Sequence, residues 1–268
     1  MEKAYKNIEF LNSREARSIR ILSEYIEPLA RFRKYRIKDT VVFFGSARAI
    51  PLDAAERHRA AASSNGDPAA VTRAERAVRL ARYYEDAREL ARRVTEWSKG
   101  LSRTSRRFIV CSGGGPGIME AANRGASEAS GLSIGLGISL PSEPTMNPFV
   151  TRELGFEFHY FFMRKFWFVY PAKALIVFPG GFGTMDELFE LLTLTQTGKS
   201  TKRMPIVLYG RAFWESFLRF DALVEWGTIA SDDLDLFRIV DDVDAAFDHL
   251  QGELTALYLE NDTGDATP

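Results

Sequence analysis

The stretch Phe178-Pro179-Gly180-Gly181-Phe182-Gly183-Thr184-Met185-Asp186-Glu187 constrains this chain more than any other, because it runs from an apolar strand through a glycine turn into an acidic helix start. Ala174 to Phe178 is a short apolar run suited to a strand buried in a parallel sheet, and Glu187 to Leu194 has helical apolar spacing. A strand, turn and helix in that order leave free amides where an anion can sit. The first N–H groups of a helix have no intrahelical partner and carry the positive end of its dipole. Gly180, Gly181 and Gly183 allow unusual φ values and a close approach of ligand to backbone.

Two further segments repeat the pattern. Phe108 to Cys111 is an apolar strand followed by Ser112-Gly113-Gly114-Gly115-Pro116-Gly117 and the helix start Ile118-Met119-Glu120. Val41 to Phe44 runs into Gly45-Ser46-Ala47-Arg48. Three strand ends carrying Gly or Ser fit one crevice at the carboxyl edge of a parallel sheet. No Gly-Lys-Ser/Thr follows any of them, and the 113–120 segment misses the spacing of the dinucleotide fingerprint, so neither a Walker loop nor a dinucleotide cofactor is indicated.

The rest of the chain alternates in the same way. Strands are expected at 40–44, 108–111, 133–139, 156–160, 174–178, 205–209 and 237–240, with helices at 163–169, 187–196, 213–225 and 243–258. Such alternation predicts an α/β fold, a doubly wound and mostly parallel sheet in a Rossmann-like three-layer sandwich. Residues 1–38 read as an N-terminal helical extension, with a charged amphipathic helix over 13–35, and 39–258 as a single domain. Within that domain, 53–99 is a helical insertion: a loop over 63–68, then an Arg/Glu-rich covering helix from about Val71 to Trp97. Residues 259–268 read as a flexible tail.

Charge excludes several function classes. Lys and Arg total 35 against 36 acids, so no global field draws the chain to nucleic acid or to a membrane. Cys111 is the only cysteine, which leaves no disulfide framework and no cysteine metal set, and no other metal-ligand spacing appears. With no signal-peptide apolar core and no run of eighteen apolar residues, the expectation is a cytoplasmic protein.

At this point the residues resemble a known family. PGGFGTMDE at 179–187 is similar to the PGGxGTxxE signature of the LOG (Lonely guy) family, and Met163-Arg164-Lys165 resembles its upstream Arg-Lys element at the family's spacing. GGGPGIME at 113–120 and FGSAR at 44–48 look like family landmarks in the same order, and the resemblance covers roughly residues 40–250. It implies a phosphoribohydrolase that cuts the N-glycosidic bond of a nucleoside 5′-monophosphate, AMP or the N6-modified AMP of cytokinin biosynthesis, without cofactor or metal, as a homodimer or larger homo-oligomer. The N-terminal extension, the 53–99 insertion and Phe161-Phe162 in place of a His and an acid look more like the family's longer bacterial branch.

Residue by residue, the local and the family readings compete. Thr184 to Glu187 has the form of a capping box, whereas the resemblance makes Glu187 catalytic and Thr184 a phosphate ligand. Arg164 and Lys165 sit in an aromatic stretch that is expected to be largely buried, so each needs an anionic partner; Arg164 is assigned to catalysis and Lys165 to substrate binding. Gly45, Ser46, Gly113, Gly114, Gly115, Gly180, Gly181 and Gly183 are expected to line the substrate. Glu120 is either a helix-start acid favoured by the dipole or a ribose ligand. His159 reads first as a packed or capping residue. The competing class is a carrier that binds a nucleotide or phosphorylated cofactor without cleaving it. A lysine decarboxylase would need a PLP lysine with a pyridinium partner, and no residue is marked for that role.

Overall fold

The computed structural model describes residues 2–101, 104–138, 146–200 and 202–260. Ser139, the expected end of the third strand, and residues 261–268 of the expected tail lie outside them.

The strands are β1 (Thr40–Phe44), β2 (Ile109–Ser112), β3 (Ser133–Ile138), β4 (Gly155–Phe158), β5 (Ala172–Val177), β6 (Ile206–Tyr209) and β7 (Arg238–Val240). All pair in parallel, in the order β4-β3-β2-β1-β5-β6-β7. The chain therefore builds outward from β1 to one edge, returns to the other side of β1, and builds outward again. The reversal falls between β1 and β5, and a crevice opens at the carboxyl ends of strands at such a switch point.

The helices are α1 (Ile8–Asn12), α2 (Arg17–Lys34), α3 (Leu52–Asn65), α4 (Pro68–Lys99), α5 (Ile118–Glu128), α6 (Phe161–Val169), α7 (Phe182–Gln196), α8 (Arg211–Trp214), α9 (Phe220–Glu225) and α10 (Val243–Tyr258). Side chains alternate along each strand, so β1 sends Val41 and Phe43 to one face and Val42 and Phe44 to the other. The first face packs against α4, α5 and α10 through Leu90, Val94, Ala121 and Leu250, and the second against α2, α6 and α7 through Phe32, Trp167, Leu188 and Leu191. Each large apolar side chain so buried contributes about 1.5–3 kcal/mol. At the opposite, amino end of the sheet, the buried Asp39 pairs with Arg107 at 2.6 Å and also accepts the Phe108 amide, which fastens the entrances of β1 and β2 together.

Several expected boundaries move for identifiable reasons. The loop expected over 63–68 shrinks to Gly66 and Asp67, because α3 continues to Asn65 and stops only where Gly66 takes φ +66°. Asp67 then caps α4 through the Ala69 amide, with Pro68 at the first helical position. The helix expected over 213–225 is two short helices, α8 and α9. The extension has α1 ahead of α2, which begins at Arg17 rather than 13. Within the aromatic stretch Tyr160, Met163, Trp167 and Phe168 are buried, but Phe161, Phe162 and Tyr170 are about half exposed. α6 is amphipathic rather than wholly buried, and its outer rings face solvent in the single chain.

Gly117 joins two of the crevice loops and cannot be replaced without strain. Its φ is +75°, and a Cβ there would stand 2.2 Å from the Ser46 carbonyl oxygen. Gly117→Ala is expected to destabilise the fold by about 1–3 kcal/mol, read as a lower urea midpoint at unchanged m-value.

Candidate active site

Three loops meet at the switch point because their backbones hydrogen-bond to one another. Phe178 N–H donates to the Phe44 carbonyl at 2.8 Å, continuing the β1–β5 ladder, and Ser46 N–H donates to the Pro179 carbonyl at 2.9 Å. The Ile118 amide, at the start of α5, donates to the Ser46 carbonyl at 3.0 Å. Gly45-Ser46, Gly113 to Gly117 and Pro179 to Gly183 thus border one crevice. The Ser46 hydroxyl accepts the Arg48 amide at 3.1 Å, which holds its own turn.

The middle loop is fixed from beneath by buried polar side chains that the sequence reading did not single out. Ser112 Oγ accepts the Gly114 amide at 3.0 Å and donates to Asn123 at 2.7 Å. Asn147 donates to the carbonyls of Gly114 and Gly115, each at 3.0 Å. Satisfied buried networks of this kind hold a loop in one shape. Gly114 takes φ +73°, while Gly113 and Gly115 lie against the Met119 side chain. Glu120, in the first turn of α5, accepts a hydrogen bond from Tyr84 of α4 at 2.8 Å.

The third loop departs from its expected form. α7 begins at Phe182 with Gly181 as its cap and no side-chain cap, so Thr184 lies inside the helix and no capping box forms. Gly180, Gly181 and Gly183 do not use positive φ. Gly180 is needed for close approach instead, because a Cβ there would lie 2.1 Å from the Thr184 hydroxyl oxygen. A Cβ at Gly181 or Gly183 would meet nothing, and Phe182 between them is 96% exposed. The start of α7 therefore offers first-turn amides, the Thr184 hydroxyl and open space in front of them.

Glu187 follows one turn later and is only 5% exposed. Its Oε1 lies 3.8 Å from Nη2 of Arg164, which reaches across from α6. The Phe161 and Phe168 rings lie 5.2 and 5.7 Å from that guanidinium. Lys165, the next residue, turns to the outer side of α7 and pairs with Asp186 at 2.7 Å and Glu190 at 3.0 Å. Consecutive residues of α6 thus grip α7 on two sides, one inward at Glu187 and one outward. His159 is exposed, and its backbone amide donates to Glu24 of α2.

Burial pushes the Glu187 carboxyl up from 4.5 to about 7, with Arg164 and then Lys165 opposing the rise. At about 1.4 kcal/mol per pH unit, this disfavours the ionised form by roughly 3 kcal/mol. The sign for stability follows. Between pH 4.5 and 7 the folded protein holds a proton on Glu187 that the unfolded chain has lost, so this group subtracts stability as pH rises through that window. Glu187→Gln removes the ionisation, and its melting temperature relative to the parent is expected to climb between pH 5 and 8. Paired thermal melts across that range check the slope.

Among the described residues no group of three or more His, Cys, Asp or Glu side chains is arranged to hold a metal ion, and no helix is long and apolar enough to cross a membrane.

Known proteins were compared with this chain. The family model described as "Possible lysine decarboxylase" matches residues 119–250. Cytokinin riboside 5′-monophosphate phosphoribohydrolase LOG of Oryza sativa subsp. japonica is 31% identical over 159 residues, covering 58% of this chain and 60% of that protein. Pyrimidine/purine nucleotide 5′-monophosphate nucleosidase of Escherichia coli K12 is 33% identical over 178 residues, covering 60% of this chain and 37% of that protein. The matched segments thus span under two thirds of either relative. Among solved structures, the molybdenum cofactor binding protein from Rippkaea orientalis aligns with a TM-score of 0.50 at 17% identity, covering 82% of this chain and 99% of that one, a likeness of fold.

Proposed function

We propose that this chain, similar to the two nucleotide-cleaving relatives, is a LOG-family enzyme that hydrolyses the N-glycosidic bond of a nucleoside 5′-monophosphate to free base and ribose 5-phosphate. The observation that carries this reading is the buried Glu187, titrating near neutrality opposite Arg164 and one turn from an uncapped, open helix start. A site that only holds a phosphate has no need of a desolvated carboxylate beside it.

In this reading the 5′-phosphate sits on the amides of Gly181 to Thr184 and the Thr184 hydroxyl, with Ser46 and Gly113 to Gly115 bordering the ribose. Glycosidic cleavage passes through a ribosyl cation, in which C1′ gains positive charge as the C1′–N electrons leave with the base. Ionised Glu187 stabilises that charge and takes a proton from the attacking water as its oxygen bonds to C1′. The base leaves with the C1′–N electron pair and takes up one proton from solvent, which balances the one that Glu187 takes from the attacking water and later returns to solvent. Arg164 keeps part of the Glu187 population ionised and fixes its orientation. Lys165, held by Asp186 and Glu190, acts through the position of α7. Glu120 would reach ribose hydroxyls only by leaving Tyr84. The decarboxylase in the family model's description requires a lysine that carries PLP, and Lys165 is already committed to two carboxylates.

The names of the two relatives divide between cytokinin riboside 5′-monophosphates and purine and pyrimidine nucleotide 5′-monophosphates. The extension and insertion favour the ordinary nucleotides, with AMP as the first substrate to try. The homo-oligomer that the family resemblance implies would cover the exposed apolar residues Ile19, Leu22 and Ile26 of α2 and Phe161 and Phe162 of α6.

Anchoring a phosphate that does not react supplies binding energy at the reacting carbon. Purified protein is therefore expected to release base from at least one of AMP, GMP, IMP, CMP, UMP or N6-substituted AMP, and far less from the matching nucleosides. Glu187→Gln should retain nucleotide binding and lose on the order of 10²–10⁴ in kcat. Nucleotide binding by the parent protein with no base released from any of the six would favour the carrier reading.

A further inference from the structure

Helix α2 belongs to the N-terminal extension, outside the segments matched by the family signature, yet one of its residues is tied to α6 three times. Both carboxylate oxygens of Glu24 accept backbone amides at the entry to α6, from His159 at 2.8 Å and Tyr160 at 3.2 Å. The Glu24 main-chain carbonyl accepts the Trp167 indole N–H at 2.9 Å. That carbonyl is available because Pro28, four residues on, has no N–H with which to close the helical bond. A proline inside α2 thus frees an acceptor, and α6 uses it.

These contacts lie close to the proposed chemistry. The Tyr160 amide is held by Glu24, and the Tyr160 carbonyl accepts the amide of Arg164 at 3.2 Å. One residue, Tyr160, therefore separates the Glu24 carboxylate from the backbone of the residue facing Glu187. We propose that Glu24 is a positioning residue of the active site, setting the entry of α6 so that Arg164 stands opposite Glu187. A carboxylate on the amides at a helix start is favoured by both hydrogen bonding and the dipole, and side-chain oxygens there fix the first turn. Packing from α2 supports the same contact, with Tyr25 against Phe166 and Trp167 and the Arg17 guanidinium over Tyr160.

The inference rests on the proposed hydrolysis for its effect on rate, but its effect on Glu187 can be read without catalysis. The groups facing the Glu187 carboxylate are Arg164 and Lys165 from α6 and Asp186 and Glu190 from α7 itself. Loosening the start of α6 withdraws the cations and leaves the acids, so the Glu187 carboxyl should titrate higher.

The experiment compares the parent chain with Glu24→Ala, Glu24→Gln and Phe32→Leu. Glu187 is titrated by carboxyl carbon NMR, its signal assigned by its loss in Glu187→Gln, and kcat is measured on the best nucleotide. Phe32 packs on Trp167 and Phe156, so its truncation weakens the α2 packing without touching the amides. Glu24→Ala is expected to raise the Glu187 pKa by roughly half a pH unit or more and to lower kcat on the order of tenfold. Glu24→Gln, which keeps one acceptor oxygen, should fall between, while Phe32→Leu lowers the melting temperature and leaves the titration in place. If the Glu24 variants fold and Glu187 titrates as in the parent, or if Phe32→Leu shifts it equally, the positioning role is wrong. A shifted titration in a protein that releases no base would sustain the positioning and remove the hydrolysis.

Discussion

The placement of β1 between β2 and β5 governs the rest of the structure, because it makes the chain reverse direction where three loops end. Parallel strands leave amides and carbonyls unpaired at their carboxyl ends, and here those groups pair with one another: Phe178 with Phe44, Ser46 with Pro179, Ile118 with Ser46. The loops are therefore set by the sheet's own ladder continued past its end. Gly117 and Gly180 are where that continuation brings backbone against backbone or side chain more closely than a Cβ allows. What remains open is the start of α7, whose first turn faces free space.

Into that frame the chain places one unfavourable group. A carboxylate as buried as Glu187 costs stability when ionised, and a solvent-exposed capping glutamate would avoid the cost. The guanidinium of Arg164 at 3.8 Å offsets part of it, leaving a group that titrates near neutrality rather than near 4.5. That balance suits the role proposed for Glu187, which calls for a carboxylate that titrates near neutrality. It depends on α6, and α6 in turn is fastened by Lys165 to α7 and by Glu24 to the N-terminal extension. The extension thereby acquires a mechanical connection to the site.

Much of this was legible before any coordinates. The central strands follow from short apolar runs, since strands buried on both faces have little room for polar residues, and the edge strands β4 and β7 follow from the alternation of the elements around them. The three loops of the crevice were identifiable because each combines an apolar strand with small residues and a helix start. The first turn of α7 was missed because its glycines read as a turn rather than as helix, and α3 because its Ala, Arg and Ser residues show no clear apolar stripe. The partnership of Arg164 with Glu187 was legible only through the family motif. Asn147 and Glu24 were not legible at all. Both act on backbone amides or carbonyls far away in sequence, and such contacts impose no periodicity on the chain that makes them.

The most direct measurement of the central claim is a crystal structure of the protein with ribose 5-phosphate, the product in which the phosphate and the reacting carbon are joined. The account predicts the phosphate on the amides of Gly181 to Thr184, with C1 of the ribose turned toward the Glu187 carboxylate and Arg164 behind it. A sugar phosphate bound elsewhere, for instance among Arg57, Arg88 and Arg124 beside α3, or one seated on α7 with C1 directed away from Glu187, would contradict it.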